Sequence, residues 1–236
     1  MGDLFGLLEF GANGWGDELA AGTWLTIQLA LSTLPFGLAL GFLIALAKNS
    51  GEPSLVLAAN IYTTLFRGLP ELLTLLIIYY GGQILLQQIV GLFTDTYVEI
   101  NGFVAGMIAL GLVFSAFASE VFLSAFKGIP DGQYEGARAL GLTRFQTMRM
   151  VIVPQLIRLA LPGLSNLWLI LLKETALVSV IALDDLLRMT NLVVGNTKEP
   201  FFFYSVACLV YLTLSIISSV GIGRIDAWAR RGEVRA

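Results

Sequence analysis

Seven polar side chains in or beside the apolar runs of this sequence are candidates for lining a solute path: Arg67, Glu71, Glu120, Asn166, Lys173, Glu174 and Thr175. An ionisable group placed at a bilayer centre costs roughly 2.5 to 3.5 kcal/mol on insertion scales, so each such charge marks an ion pair, a cavity or a path for a polar solute. Arg67 and Glu71 stand four apart and share one helix face if Pro70 leaves the turn helical, in which case they lower each other's insertion cost. Glu120 has only Ala116, Phe117, Leu123 and Ser124 at helical neighbour positions, so it must meet a cation or water elsewhere. A carboxylate lining a cavity suits a cationic substrate; snorkelling to the cytoplasmic interface is the alternative. Lys173 and Glu174 are adjacent and point to different faces, so they do not readily neutralise one another. With Asn166, Thr175 and Ser179 they form a polar stripe able to pass a hydrated polar solute, unless the helix simply ends there among headgroups. Other chemistries are excluded. There is no histidine, which removes serine-histidine triads and histidine-ligated metals, and the single Cys208 allows no disulfide framework and no cysteine-rich metal site.

The elements that must hold these groups are membrane spans. Of 236 residues, 56% are hydrophobic and 13% charged, and the mean hydropathy is +0.80, whereas soluble domains carry roughly 25% charge. About 20 apolar residues cross a hydrocarbon core, which gives an all-α membrane protein of five transmembrane helices. They are expected at about 23–47, 69–90, 103–126, 156–183 and 201–222, within a single transmembrane domain over 1–236. Gly37 and Gly41 in the first span have the small-xxx-small spacing that permits close helix packing. The first residues carry Asp3, Glu9, Asp17 and Glu18 with no basic residue, so no cleavable signal peptide is expected. Lys48, Lys127, Arg138, Arg144, Arg149, Arg158, Arg224, Arg230, Arg231 and Arg235 flank one side, against Arg188 and Lys198 on the other. The positive-inside rule then puts the N-terminus in the periplasm and the C-terminus in the cytoplasm. Gln83, Gln87 and Gln88 are expected to solvate an interface, and Asp184, Asp185 and Arg188 to form a solvated outer segment. The net charge of -3 argues against nucleic acid.

The longest cytoplasmic connection, 124–155, has its own punctuation. Pro130 and Asp131 start a short helix and Gly141 stops it; Thr143 and Gln146 form a capping box for a second helix expected to end against Pro154. Gly136, Ala137 and Ala139 keep one side of the first helix small enough for close approach to another protein, with Glu135 and Arg138 as polar register. A solvated hairpin is the bland alternative. A DNA-reading helix-turn-helix would need a third helix and a basic face that are missing.

Glu135-Gly136-Ala137, three residues, Gly141, nine residues and Val151-Ile152-Val153-Pro154 resembles the EAA loop of ABC-importer permeases, Glu-Ala-Ala-x3-Gly-x9-Ile-x-Leu-Pro. Gly136 replaces the middle alanine, and Val151 and Val153 replace isoleucine and leucine. The stretches from Tyr62 through Arg67 and Pro70 to Glu71, Leu161 to Asn166 and Lys173 to Ser179 look like the polar amino-acid permeases, nearest to the histidine, lysine-arginine-ornithine and opine branch. The resemblance implies a type I, MetI-like permease in the bacterial inner membrane, importing basic amino acids or opines. It also implies a second, similar permease, more in keeping with a heterodimer than a homodimer, two cytoplasmic ATPases and a periplasmic amino-acid-binding protein. Residues Glu135, Gly136, Ala137, Arg138, Ala139, Leu140 and Gly141 would be the coupling helix in the ATPase groove. ATP and Mg would be bound by the ATPases; consistently, the chain has no G-x-x-x-x-G-K-[ST] loop, and no cofactor or catalytic residue is expected here. The rival from another class is an ion-coupled secondary amino-acid transporter using carboxylates such as Glu120 as a relay.

Overall fold

The computed structural model describes residues 4–11, 14–94 and 96–229. Asp3, Arg230, Arg231 and Arg235, used in the topology argument, lie outside these. Among the described residues the regular structure is entirely helical: α1 (Gly16–Lys48), α2 (Pro53–Gly68), α3 (Glu71–Gly91), α4 (Gly102–Lys127), α5 (Asp131–Ala139), α6 (Arg144–Ile181), α7 (Leu186–Thr197) and α8 (Pro200–Ala229), after a 3-10 turn at Gly6–Leu8. Helices α1, α3, α4, α6 and α8 are long and apolar enough to cross a membrane. In α1, Asp17 and Glu18 occupy the first turn and Lys48 the last, each with the sign the helix dipole favours.

Two differences from the sequence reading have local causes. Pro70 is extended (φ -60°, ψ 132°), so the chain breaks between α2 and α3 and the four-residue spacing of Arg67 and Glu71 does not lie on one helix. Pro154, by contrast, ends nothing. A π-turn at Met148–Ile152 precedes it, and the widened turn takes up the missing N–H, so the second loop helix runs unbroken into the fourth span.

The chain divides into two compact units. One comprises the residues up to Phe36, Leu69–Leu112 and Ile170–Ile216. Its core joins Leu19, Leu186, Val193, Phe203 and Ala207, flanked by Trp15, Met189 and Tyr211. Here Gln83 and Gln87, one turn apart on α3, clasp an extended segment: the Gln83 amide donates to the Val98 carbonyl (2.8 Å) and accepts from the Ile100 N–H (2.7 Å). The Val98 N–H donates to Gln87 Oε1 at 3.3 Å. These amides therefore organise a loop, where solvation of an interface was expected.

The other unit comprises Gly37–Gly68, Val113–Leu169 and the segment from Ile217 onward. Gly41 of α1 lets α4 approach so closely that a Cβ there would meet Ala118 Cβ and the Ser115 carbonyl at 2.9 Å. Phe42 packs on Phe122 and Phe126, and Gly163 of α6 seats Val121. These contacts fix the positions of Lys48 and Glu120.

Candidate functional site

The loop after α4 is capped at both ends of its turn. Gly141 takes φ +74°, a conformation L side chains rarely adopt, and its N–H donates to the Arg138 carbonyl (2.9 Å) while the Leu142 N–H donates to the Ala137 carbonyl (3.1 Å). This is the paired closure of a Schellman motif, and it explains the glycine. Thr143 and Gln146 then cap α6 reciprocally: the Gln146 N–H donates to Thr143 Oγ1 and the Thr143 N–H to Gln146 Oε1. Gln155 donates to Gln133 at 3.1 Å, tying α6 to α5. Glu135, Gly136, Arg138, Ala139, Leu140 and Gly141 are exposed, Leu140 to 82%. Ala137 alone of the seven turns inward and is buried against its own chain, so the small free face is Gly136 and Ala139. Beside it lies a polar cleft of about 520 Å³ lined by Lys127, Asp131, Tyr134, Glu135 and Arg138. Burial, and then the charge of Asp131, pushes the Tyr134 phenol up.

Glu120 finds its cations on α1 and α2. Lys48 Nζ donates to Glu120 Oε1 at 2.5 Å and to Thr63 Oγ1 at 2.7 Å. Arg67 Nη1 lies 3.3 Å from the same carboxylate oxygen, and its guanidinium stands 5.5 Å over the Phe117 ring. Helical spacing assembles the cluster: Thr63 and Arg67 are four apart on α2, Phe117 and Glu120 three apart on α4. Lys48, counted from sequence only as a flanking positive charge, is the partner that reading missed. Its side chain is 6% exposed, and with 72 positions between the two residues no local sequence signal pairs them.

In the first unit, the carboxyls of Glu71 and Glu174 face one another within hydrogen-bonding reach, with the Lys173 charge felt nearby. Thr175 is buried and its hydroxyl donates to the Leu172 carbonyl at 2.7 Å. Asn166 and Lys173 are exposed on α6. Asp185 was expected in a solvated segment, but it is fully buried and caps α7 by accepting from the N–H groups of Leu187 and Arg188. Burial pushes its carboxyl up to about 6 against the opposing pull of those N–H donors, while Asp184 pairs with Arg188 at 3.5 Å.

Residues 14–231 match the family described as the binding-protein-dependent transport system inner membrane component. The chain belongs to this family. Among its relatives, the nopaline transport system permease protein NocQ of Agrobacterium fabrum is 41% identical over 96% of this chain and 97% of its own. The arginine ABC transporter permease protein ArtQ of Haemophilus influenzae is 40% identical over 86% of this chain and 89% of its own. The crystal structure of an amino acid ABC transporter with histidines superposes with a TM-score of 0.76 at 31% identity, covering 90% of this chain and 94% of that one. The fold is thus that of the MetI-like permeases of type I importers. The chain is a multi-pass inner-membrane permease component, working with a solute-binding protein and with separate ATPase subunits that hydrolyse the ATP.

Proposed function

We propose that this permease imports basic amino acids or opines, forming half of the translocation pathway beside a second, related permease in a heterodimer. The observation that carries the substrate class is the Glu71 and Glu174 pair, two carboxyls brought face to face on membrane-spanning helices α3 and α6. Two such groups in a low-dielectric setting favour a guanidinium or ammonium between them. Relatives named for nopaline and arginine point to the same class. Within a single permease domain over 1–236, the N-terminus is periplasmic and the C-terminus cytoplasmic. The helix bearing Glu135 to Gly141 is the part held by an ATPase loaded with Mg and ATP; its exposed Gly136, Ala139 and Leu140 and its rigid capping support that role. A helix closed at its C-terminal end and tied to α6 through Gln133 and Gln155 passes ATPase closure to the spans as a displacement, which a frayed loop would absorb.

The test is Glu174→Gln in the reconstituted assembly with its receptor and ATPases. Uptake of L-arginine is expected to fall about tenfold, the loss of one close charge pair, and uptake of L-glutamine much less. Equal loss for both amino acids would assign Glu174 to structure.

A further inference from the structure

Resting on the reading that the substrates are amino acids, we propose that Arg67 and Glu120 form a subsite for the α-amino-acid headgroup. The Arg67 guanidinium takes the α-carboxylate and Glu120 takes the α-ammonium. Among the described residues of this cluster two cations stand against one carboxylate, since Lys48 and Arg67 both converge on Glu120 Oε1. One positive charge is left over beside the membrane-spanning α4, and it calls for an anion. The two cations are not equivalent. Lys48 is 6% exposed and is engaged by both Glu120 and Thr63, so it is the buried counter-charge of the carboxylate. Arg67 is 44% exposed, offers a single Nη1 contact at 3.3 Å, and rests on Phe117 with its planar fork of donors accessible. The next residue, Gly68, has nothing within 4 Å of where a Cβ would stand, so the backbone beside Arg67 is uncrowded. That is the geometry a guanidinium uses to bind a carboxylate bidentately.

The acidic half of the subsite is also accessible. Glu120 lines an open groove of about 450 Å³ with Ser124, Gly128, Leu159 and Gly163, and both cations fall on Oε1, which leaves Oε2 with acceptor capacity. A guanidinium donor and a carboxylate acceptor this close match the carboxylate and ammonium carried by one α-carbon. A phosphatidylglycerol phosphate would satisfy only the guanidinium. The subsite reads the headgroup common to all amino acids and is indifferent to the side chain.

The experiment is equilibrium binding of L-arginine, agmatine (no carboxylate) and Nα-acetyl-L-arginine (no ammonium) to the complete permease–ATPase complex without receptor or nucleotide. It is run in phosphatidylcholine and in phosphatidylglycerol nanodiscs. The wild type is expected to bind L-arginine about tenfold more tightly than agmatine, the worth of one charge-assisted bidentate contact. Arg67→Gln should abolish that preference with agmatine affinity unchanged, Arg67→Lys should restore part of it, and Glu120→Gln should weaken L-arginine while sparing the acetylated compound. A parallel fall of L-arginine and agmatine in Arg67→Gln, no change in either, or no wild-type preference overturns the subsite. So does a preference present in phosphatidylcholine and lost in phosphatidylglycerol, which gives the guanidinium to lipid. Absence of wild-type binding also overturns it, while ATP-driven uptake of amino acids by the same preparation with receptor would leave the transport reading intact.

Discussion

Among the described residues Glu120 is the acidic partner of both Lys48 and Arg67, so removing its charge strands a lysine that is almost fully enclosed. Glu120→Gln is expected to destabilise the detergent-solubilised protein by on the order of 3 kcal/mol, read as a drop in thermal midpoint, because an uncompensated buried charge costs more than the pair contributes. Adding Lys48→Met should recover most of that loss; a double variant no better than the single would show that the cluster is not a coupled pair. Asp185 behaves in the opposite sense. Its carboxyl is raised from 3.8 to about 6, so the folded protein holds this proton more tightly than the unfolded chain does. Its contribution is therefore fully present below about pH 4, is lost as pH rises to about 6 and stays lost above. Asp185→Asn keeps a good cap without the buried charge, so melting curves from pH 4 to 8 should flatten across that window and rise at neutral pH. An unchanged pH profile would remove Asp185 as their source.

At the scale of elements, Gly141 separates folding from coupling. Its φ of +74° strains other residues, though aspartate and asparagine enter that region more readily than most, and a Cβ there meets nothing within 4 Å. Gly141→Asp should therefore insert normally, melt within about 1 to 2 kcal/mol of the wild type and leave receptor binding intact, yet abolish ATP-driven uptake through the new exposed charge. Normal uptake by the inserted variant would detach this helix from coupling. The five spans and the caps of this loop were legible in the sequence because run length, Thr143 with Gln146, and Gly141 are local signals. The partners of Glu120 were not, since Lys48 lies 72 positions away and it is packing, of Gly41 against Ala118 and of Phe42 against Phe122 and Phe126, that brings α1 to α4. Asp185 and Pro154 were misread for a related reason. A cap looks like a solvated acid until its helix is buried, and a proline looks like a stop until a π-turn precedes it.

For the whole molecule, the decisive property is the source of energy. Intramembrane carboxylates alone are compatible with an ion-driven carrier, but Glu120 is already engaged by two cations, and the nine-residue helix α5, closed at its C-terminal end, stands exposed. The direct measurement is uptake of radiolabelled L-arginine, L-histidine and nopaline into proteoliposomes holding both permeases and the ATPases, with receptor outside and ATP inside. Uptake should require ATP and receptor, vanish when the ATPase is omitted, and persist when ionophores collapse proton and sodium gradients. Uptake that survives without the ATPase and disappears with the ionophores would contradict the account.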